Sequence, residues 1–415
     1  MTRPQRAPRA YDATARHDRG HREGRQMDND ATNRPPWRLL KLAATAGLAL
    51  MSLWIITGEI PRVVSDHGLW DFGAFVASGH AAAAGLDPYG IYPPLTPHVV
   101  FPGFESWNPN LNPPISALLF QTFGLLEPVQ SLRIWWMISI ASYIAAVALL
   151  LRRYSGGLEL PLLAIWAFAL AGFWDTLYLG QVYMPFVLIA VVAWLSLEKD
   201  DGVLAGIMIG LLMSMKPNFA VWPVLLFLAG HRVTGLVSVA IAAVIATIPL
   251  VVFGPQIYVD WLRLVASDGD RAVFLTNASF AGLAARAGVP AAGTVLAALL
   301  LLGLAGWAFF RRPLVVAVSG FALLASLLAS PLGWIHYTLF LLPVLLHHWQ
   351  RPWAWLAAAA LAIPVPVILG YFGASRLNQL TAGSIYAWAL VLMLIGLITA
   401  ELKQQTAPAQ EAFLR

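Results

Sequence analysis

The chain has 415 residues, of which 59% are hydrophobic and 11% are charged, and its formal net charge is +5. Because a soluble domain carries about 25% charged residues, this composition excludes an ordinary soluble protein and indicates one that crosses a membrane several times. The absence of cysteine excludes disulfides and thiolate metal sites. We expect an all-α polytopic membrane protein, since an isolated apolar segment satisfies its backbone hydrogen bonds only as a helix.

Residues 1–36 are rich in arginine, proline and glycine and poor in large apolar side chains. This composition predicts a disordered basic tail. The segment lacks the short apolar core and small-residue cleavage site of a secretory signal. The first apolar segment is therefore predicted to remain as an uncleaved span.

Apolar runs separated by polar breaks predict about twelve transmembrane helices in the rest of the chain. They cover residues 38–60, 132–151, 159–177, 184–198, 203–215, 217–230, 235–253, 291–310, 313–329, 334–349, 353–371 and 383–401. Several are shorter than a full crossing. Lys216 and Pro217 lie between two of the short ones, and the sequence is compatible with either a turn between two helices or a kink within one.

Basic residues cluster at alternate breaks, which places the amino terminus and a short tail, residues 404–415, in the cytoplasm by the positive-inside rule. The two longest loops, residues 61–131 and 254–290, are then extracytoplasmic. Within the first loop, an apolar stretch begins at Pro113. We expect it to form a helix lying on the membrane interface, because another crossing would invert the charge pattern of everything that follows.

Seven short blocks of small and polar residues fall on the predicted extracytoplasmic face. In chain order they read DFGAFVASG (71–79), GLDPY (85–89), NLNPP (110–114), GQVY (180–183), MKP (215–217), NASFAGL (277–283) and SPLGWIHY (330–337). Each block alone is weak evidence. Their number, order and shared face make the chain resemble glycosyltransferase family 87, the polyprenyl-phosphate-mannose-dependent α-mannosyltransferases of the GT-C superfamily.

The resemblance implies a GT-C fold for residues 37–403, with about twelve spans and a helical first extracytoplasmic loop packed over them. It also implies a multi-pass enzyme of the inner cell membrane whose active site faces the periplasm. Such an enzyme moves a mannose-like sugar from a polyprenyl-phosphate donor to a glycolipid or polysaccharide acceptor. Membrane lipid is then its surroundings, and we expect neither a cofactor nor a nucleic-acid partner.

The resemblance further implies that Asp71 is the catalytic base. An inverting transfer needs one base to remove the proton of the acceptor hydroxyl as its oxygen attacks the sugar. The departing phosphate needs a cation, for which Lys216 is the first candidate and His336 the second. The candidates for hydrogen bonds to the sugar or the acceptor are Gln181, Asn277, Asn112 and Tyr89. No metal site is expected, because the potential ligands are scattered along the sequence.

Each assignment has a structural alternative. Asp71 could cap the helix that begins near Phe72, and Lys216 could extend its ammonium group to the membrane interface. His336 could be a packed histidine. The last block also departs from the family pattern, because Ile335 stands where an acidic residue is usual and Tyr337 where a second histidine is.

A transporter or a lipid-sugar flippase is the main alternative function, since such proteins also have about a dozen spans and rare intramembrane charges. Transporters commonly contain two related halves with broken helices at matching positions. No such repeat is visible here. A scaffold without chemistry would leave Asp71, Lys216 and His336 unexplained.

Overall fold

The computed structural model describes residues 36–65, 69–101 and 104–413, and the side chains of these ranges from residue 39 to residue 403. The predicted basic tail therefore lies outside the described residues, apart from Pro36. The rest is almost entirely helical. Two short antiparallel strands, not anticipated from the sequence, are β1 (His98–Phe101) and β2 (Phe104–Trp107).

The helices follow one another along the chain with short connections. In order they are α1 (Pro36–Ser65), α2 (Trp70–Ala83), α3 (Ile115–Phe120), α4 (Pro128–Tyr154), α5 (Glu159–Ala167), α6 (Ala171–Leu179), α7 (Tyr183–Leu197), α8 (Gly202–Met215), α9 (Val221–Leu228), α10 (Arg232–Phe253), α11 (Gln256–Ser267), α12 (Phe280–Ala287), α13 (Pro290–Arg311), α14 (Val315–Leu328), α15 (Leu342–His347), α16 (Pro352–Leu361), α17 (Val365–Leu369), α18 (Arg376–Leu380) and α19 (Ile385–Phe413). Short 3-10 segments are Thr122–Leu125, Pro217–Ala220, Gly269–Val273, Ile335–Leu341 and Ala382–Ser384.

Six helical segments of the described residues are long and apolar enough to cross a membrane. They are Leu39–Ser65, Pro128–Tyr154, Glu159–Leu179, Arg232–Phe253, Pro290–Arg311 and Arg376–Lys403. The other six predicted spans coincide with the shorter apolar helices Tyr183–Leu197, Gly202–Met215, Pro217–Leu228, Val315–Leu328, Ile335–His347 and Pro352–Leu361. The chain is thus an all-α polytopic membrane protein, and the crossing of the bilayer by the shorter six stays a prediction.

Lys216 lies at a turn between two helices and not at a kink within one. Gly206 of α8 lies against Thr234 of α10, and Gly210, one turn later, lies against Ser238. Contacts that advance together in this way mean that α8 and α10 run parallel. The chain must therefore return between them, through α9, so Lys216 stands at the end of the helices where that return begins.

The first long loop is shorter than predicted and more structured. Helix α1 continues through Pro61 to Ser65, past its predicted end, and α4 already begins at Pro128. Between them lie α2, the β1–β2 hairpin and α3 with its following 3-10 turn, so the predicted apolar helix after Pro113 is present. Its position on the membrane interface stays a prediction.

The second long loop packs against the first. It contains α11, the 3-10 turn Gly269–Val273 and α12. Phe101 and Phe104 of the hairpin place their ring centres 5.1 Å and 5.0 Å from that of Phe274 in this loop. The aromatic contacts bring residues of both loops to the same end of the helices. At the other terminus, α19 continues into the segment predicted as a tail and ends at Phe413.

Candidate functional site

The carboxylate of Asp71 is held by two side-chain amides from other parts of the chain. Helix α2 begins at Trp70, and the preceding residue, Leu69, makes no capping hydrogen bond. Oδ1 of Asp71 accepts from Nδ2 of Asn108, and Oδ2 accepts from Nε2 of Gln181. Since both oxygens accept from distant segments, these contacts do not support the capping alternative.

Gln181 reaches Asp71 because the chain turns sharply after α6. Gly180 ends that helix with φ 69°, in the left-handed region that favours glycine. A Cβ at this position would also lie 2.5 Å from Cβ of Phe72. Only glycine lets the turn pack this closely on α2. The next residue, Gln181, therefore lies within hydrogen-bond distance of the Asp71 carboxylate. Nε1 of Trp135 fixes the turn by donating to the carbonyl of Gln181 at 3.0 Å.

Asn108 is oriented by Arg271 of the second loop. Nη1 of Arg271 donates to Oδ1 of Asn108 at 2.6 Å, and Nη2 donates to the carbonyl of Trp107 at 2.8 Å. Nε of the same guanidinium lies 2.7 Å from a carboxylate oxygen of Asp268, forming the ion pair of the second loop. Because Arg271 is a donor only, the amide oxygen of Asn108 must face it, so the amide nitrogen faces Asp71.

These surroundings make Asp71 a stronger base than an ordinary aspartate. Burial raises the pKa of Asp71 above its usual value, while the hydrogen bond from Asn108 and the positive charge of Arg271 act in the opposite direction. A raised pKa increases the tendency of the carboxylate to take a proton. The amides of Asn108 and Gln181, which donate to the carboxylate, are uncharged and do not neutralise its negative charge.

Lys216 is a buried cation whose contacts are neutral. The residue is 6% exposed, and its Nζ donates to the hydroxyl of Tyr183 at 2.6 Å and to Oδ1 of Asn112. Among the described residues, no carboxylate forms an ion pair with it. A buried charge without a counterion is costly, which favours an anionic ligand at this place. Its burial also argues against an ammonium group extended to the interface.

Asn112 and Tyr89 are brought to Lys216 in different ways. Nδ2 of Asn112 donates to Oδ1 of Asn110 at 3.0 Å, which leaves the Asn112 amide oxygen directed at the ammonium group. The hydroxyl of Tyr89 donates to the backbone carbonyl of Asn112 at 3.0 Å. Asn112 therefore contacts the lysine directly, and Tyr89 supports the loop behind it.

His336 contacts the same tyrosine as Lys216. Its ring is stacked on that of Tyr183 with 4.4 Å between ring centres, and its Nδ1 lies 2.9 Å from Oδ2 of Asp175. Both His336 and Asp175 are almost completely buried. Tyr183 thus connects the histidine to Lys216. The charges of His336 and Lys216 interact with that of Asp71, so the residues around Lys216 neighbour those around Asp71. We call the two neighbouring groups together the Asp71 cluster: Asp71, Asn108, Asn112, Asp175, Gln181, Tyr183, Lys216, Arg271 and His336.

Several buried polar atoms in or beside the Asp71 cluster have no hydrogen-bond partner among the described residues. Apart from Nε of Arg271 and Oδ2 of Asp268, whose residues form an ion pair with each other, they are Nε1 of Trp70, Nε1 of Trp174, Oε1 of Gln181 and Nε2 of His336. Buried polar groups are nearly always paired, so each such atom calls for an explanation. A polar ligand in this place would supply partners for indole and imidazole donors and for an amide oxygen.

Asn277 is not brought into the cluster. Its Nδ2 donates to the carbonyls of Ala272 and Pro331 at 3.1 Å and 3.0 Å, and its Oδ1 accepts from the backbone of Ser279 and Gly333. These bonds occupy the whole amide. Asn277 therefore joins the second loop to the segment that carries His336, and we assign it no sugar contact.

Four members of the cluster had no role in the sequence-based site: Asn108, Asp175, Tyr183 and Arg271. Asp175 carried a signal that was not used, because it is an acidic residue within an apolar run at the predicted extracytoplasmic end. Tyr183 belongs to the GQVY block. Asn108 and Arg271 meet only through the packing of the two loops. In the part of the chain that the structure describes, no group of three histidine, aspartate or glutamate side chains is arranged to hold a metal ion.

The chain is similar to one known protein family and to one curated protein. The model of the family described as glycosyltransferase family 87 matches residues 110–331, more than half of the chain. Over 239 residues the chain is 30% identical to the polyprenol-phosphate-mannose-dependent alpha-(1-2)-phosphatidylinositol mannoside mannosyltransferase of Mycolicibacterium smegmatis. The match covers 50% of this chain and 53% of the relative, so the chain matches about half the length of that curated relative. No solved structure matches the chain.

Proposed function

This chain belongs to glycosyltransferase family 87, and we propose that it moves a mannose-like sugar from a polyprenyl-phosphate donor to a glycolipid or glycan acceptor. The Mycolicibacterium relative is named as a polyprenol-phosphate-mannose-dependent phosphatidylinositol mannoside mannosyltransferase, which supports this donor and makes a phosphatidylinositol mannoside the first acceptor to test. The proposal includes a GT-C fold and an active site on the extracytoplasmic side. The distribution of basic residues favours this side of the membrane.

One observation carries the proposal: a carboxylate held by neutral amides and a buried ammonium group without a counterion belong to the same cluster. Transfer from a lipid phosphate needs a base for the acceptor and a cation for the leaving group. Asp71 and Lys216 meet these two needs. Neither group is neutralised by an ion-pair partner among the described residues, so both are available to substrates.

Asp71 acts on the acceptor. Its carboxylate takes the proton of the attacking hydroxyl while the acceptor oxygen forms a bond to the anomeric carbon of the sugar. The bond from that carbon to the phosphate oxygen breaks, and its electron pair leaves with the phosphate. A single displacement of this kind inverts the anomeric configuration, so a β-linked donor gives an α-linked product, and one carboxylate suffices.

Lys216 and His336 act on the donor. Cleavage converts a phosphate diester with one negative charge into a monoester with a second negative charge, which a fixed cation stabilises more than it stabilises the donor. The ammonium group of Lys216 supplies that stabilisation, together with His336, which is stacked on the tyrosine whose hydroxyl Lys216 contacts. Oε1 of Gln181 is a free acceptor for a sugar hydroxyl next to the base.

A transfer assay tests the proposal directly. The purified protein, placed in lipid nanodiscs, receives isotope-labelled polyprenyl-phosphate mannose and a phosphatidylinositol mannoside. We expect a labelled glycolipid one hexose larger, with the new linkage in the α configuration. A transporter or flippase would instead move the donor across a sealed vesicle membrane and leave its phosphate–sugar bond intact. That outcome would contradict the proposal.

A further inference from the structure

Asp175 forms a buried pair with His336 but has no role in the reaction described above. We infer that Asp175 is a positioning residue: it holds His336 as an imidazolium whose Nε2–H binds the donor phosphate. The inference rests on the proposed function. It adds a residue that the sequence analysis did not assign, and it states which imidazole nitrogen meets the substrate.

The geometry assigns different tasks to the two nitrogens of the ring. Nδ1 of His336 lies 2.9 Å from Oδ2 of Asp175, and since an ionised carboxylate can only accept, Nδ1 carries a hydrogen. Nε2 is buried and has no hydrogen-bond partner among the described residues. The imidazole ring is stacked on the ring of Tyr183, whose hydroxyl contacts Lys216. One nitrogen is therefore anchored, and the other is left for a ligand near the ammonium group.

His336 is the group placed to give Asp175 a counterion. Asp175 is 4% exposed and has no other cation within ion-pair distance among the described residues. A buried carboxylate without a counterion is costly, so a charged ring would stabilise Asp175 while its Nε2–H faces the anionic donor.

Close packing of two backbone segments holds Asp175 and His336 next to each other. Gly172 lies one turn before Asp175 on α6, and a Cβ there would lie 2.8 Å from the carbonyl oxygen of Ile335 and 3.2 Å from Cα of His336. The helix and the 3-10 segment thus approach as closely as the absence of a side chain permits. This approach holds the backbone of His336 next to the helix that carries Asp175, and the contact of Oδ2 with Nδ1 fixes the direction in which Nε2 points.

Two substitutions of His336 distinguish the role of Nδ1 from that of Nε2. In His336→Asn, the side-chain nitrogen replaces Nδ1 and keeps the contact with Asp175, but nothing replaces Nε2. In His336→Gln, the side-chain nitrogen reaches towards the place of Nε2. If the histidine only satisfies Asp175, the asparagine variant resembles wild type. If Nε2 binds the phosphate, the glutamine variant retains more function. Asp175→Asn removes the charge and leaves the shape.

The test measures the binding of polyprenyl phosphate and of uncharged polyprenol to the protein in nanodiscs. We expect His336→Asn and Asp175→Asn to weaken polyprenyl phosphate binding by about tenfold or more, as for a lost charge-assisted hydrogen bond. Polyprenol binding should stay within about threefold of wild type, the ratio that corresponds to well under 1 kcal/mol. His336→Gln should bind polyprenyl phosphate more tightly than His336→Asn.

Equal losses for both ligands, or none, would overturn the inference and assign the pair to packing. The proposed function has a separate indicator in the same experiment. If wild-type protein does not prefer polyprenyl phosphate over polyprenol and transfers no sugar, the proposed function fails. If wild type shows the preference and the transfer while the Asp175 and His336 variants match it, only the role of the pair is wrong.

Discussion

Two buried polar clusters lie at opposite ends of helix α7 and are built on opposite principles. The Asp71 cluster includes Tyr183, where the helix begins. The Glu198 cluster lies where it ends and consists of Glu198, Arg153, Tyr154, Trp194 and His347. Each surrounds a carboxylate in an apolar protein. Their hydrogen bonds show which one is closed to ligands.

Glu198 is saturated by partners of its own chain. Oε2 accepts from Nε of Arg153 at 2.8 Å, Oε1 accepts from the hydroxyl of Tyr154, and Nδ1 of His347 lies 3.6 Å away. Nε1 of Trp194 donates to the same hydroxyl at 2.7 Å. None of the buried unpartnered atoms of the described side chains belongs to this cluster, whereas six belong to residues in or beside the Asp71 cluster, two of them in the Arg271–Asp268 ion pair. We therefore expect Glu198, which is paired with a cation, to serve stability, and Asp71, which is held by amides, to act on substrate.

The largest expected effect separates the two carboxylates. Asp71→Asn should lower kcat by about 10² to 10⁴, because asparagine accepts no proton at neutral pH. Its thermal stability should stay close to wild type, since Asn keeps the shape of the side chain. Glu198→Gln is the matched control and should reverse the pattern, with kcat unchanged and a lower melting temperature. Steady-state kinetics and thermal unfolding of both variants check this.

Lys216 gives the second largest effect. Lys216→Met should weaken donor binding by about 1.5 to 3 kcal/mol, roughly 10- to 150-fold, as expected for a charge-assisted contact. Lys216→Arg should keep part of the affinity, since it keeps the charge in a different shape. Donor titrations by fluorescence or calorimetry provide the measurement.

Lys41 offers a control for that substitution. It is also buried, but its Nζ lies 2.9 Å from a carboxylate oxygen of Glu159, so its charge is already neutralised. Lys41→Met should lower stability and leave donor affinity unchanged. Equal donor affinities in both methionine variants would mean that an unpaired buried ammonium group is not a mark of the donor site in this protein.

The long helices and four residues of the Asp71 cluster were predicted from the sequence. The apolar runs predicted every long helix, and the ordered blocks pointed to Asp71, Lys216, His336 and Gln181, all of which the structure brings into one cluster. Local chemistry was sufficient for these because each is a polar residue at the end of an apolar segment.

The rest depended on contacts that no local pattern contains. Asn108 and Arg271 meet because the hairpin packs on the second loop, and Asp175 meets His336 because Gly172 allows the backbones to approach. Asn277 belongs to a polar block, yet its amide is fully occupied in joining two segments. Sequence spacing does not distinguish an amide that holds the backbone from one that faces a ligand, since both are buried and polar.

The smallest expected effect refines the electrostatics of Asp71. The hydrogen bond from Asn108 stabilises the charged carboxylate and therefore lowers its pKa against the effect of burial. Asn108→Ala removes that stabilisation, so the pKa should rise and the acid limb of the kcat/KM profile should move to higher pH by about one unit. Wild type should already have this limb above the ordinary aspartate pKa of 3.8. A shift to lower pH would contradict the assigned contact.

Single-turnover transfer by Asp71→Asn tests the central claim most directly. With the enzyme in excess over the labelled donor, at a concentration that binds all of it, and with the acceptor saturating, the rate reports the displacement itself and not binding or product release. We expect the variant to bind the donor within about threefold of wild type while its single-turnover rate falls by about 10² or more, roughly 3 kcal/mol of transition-state stabilisation. A single-turnover rate within about threefold of wild type, a difference under 1 kcal/mol, would show that Asp71 is not the base.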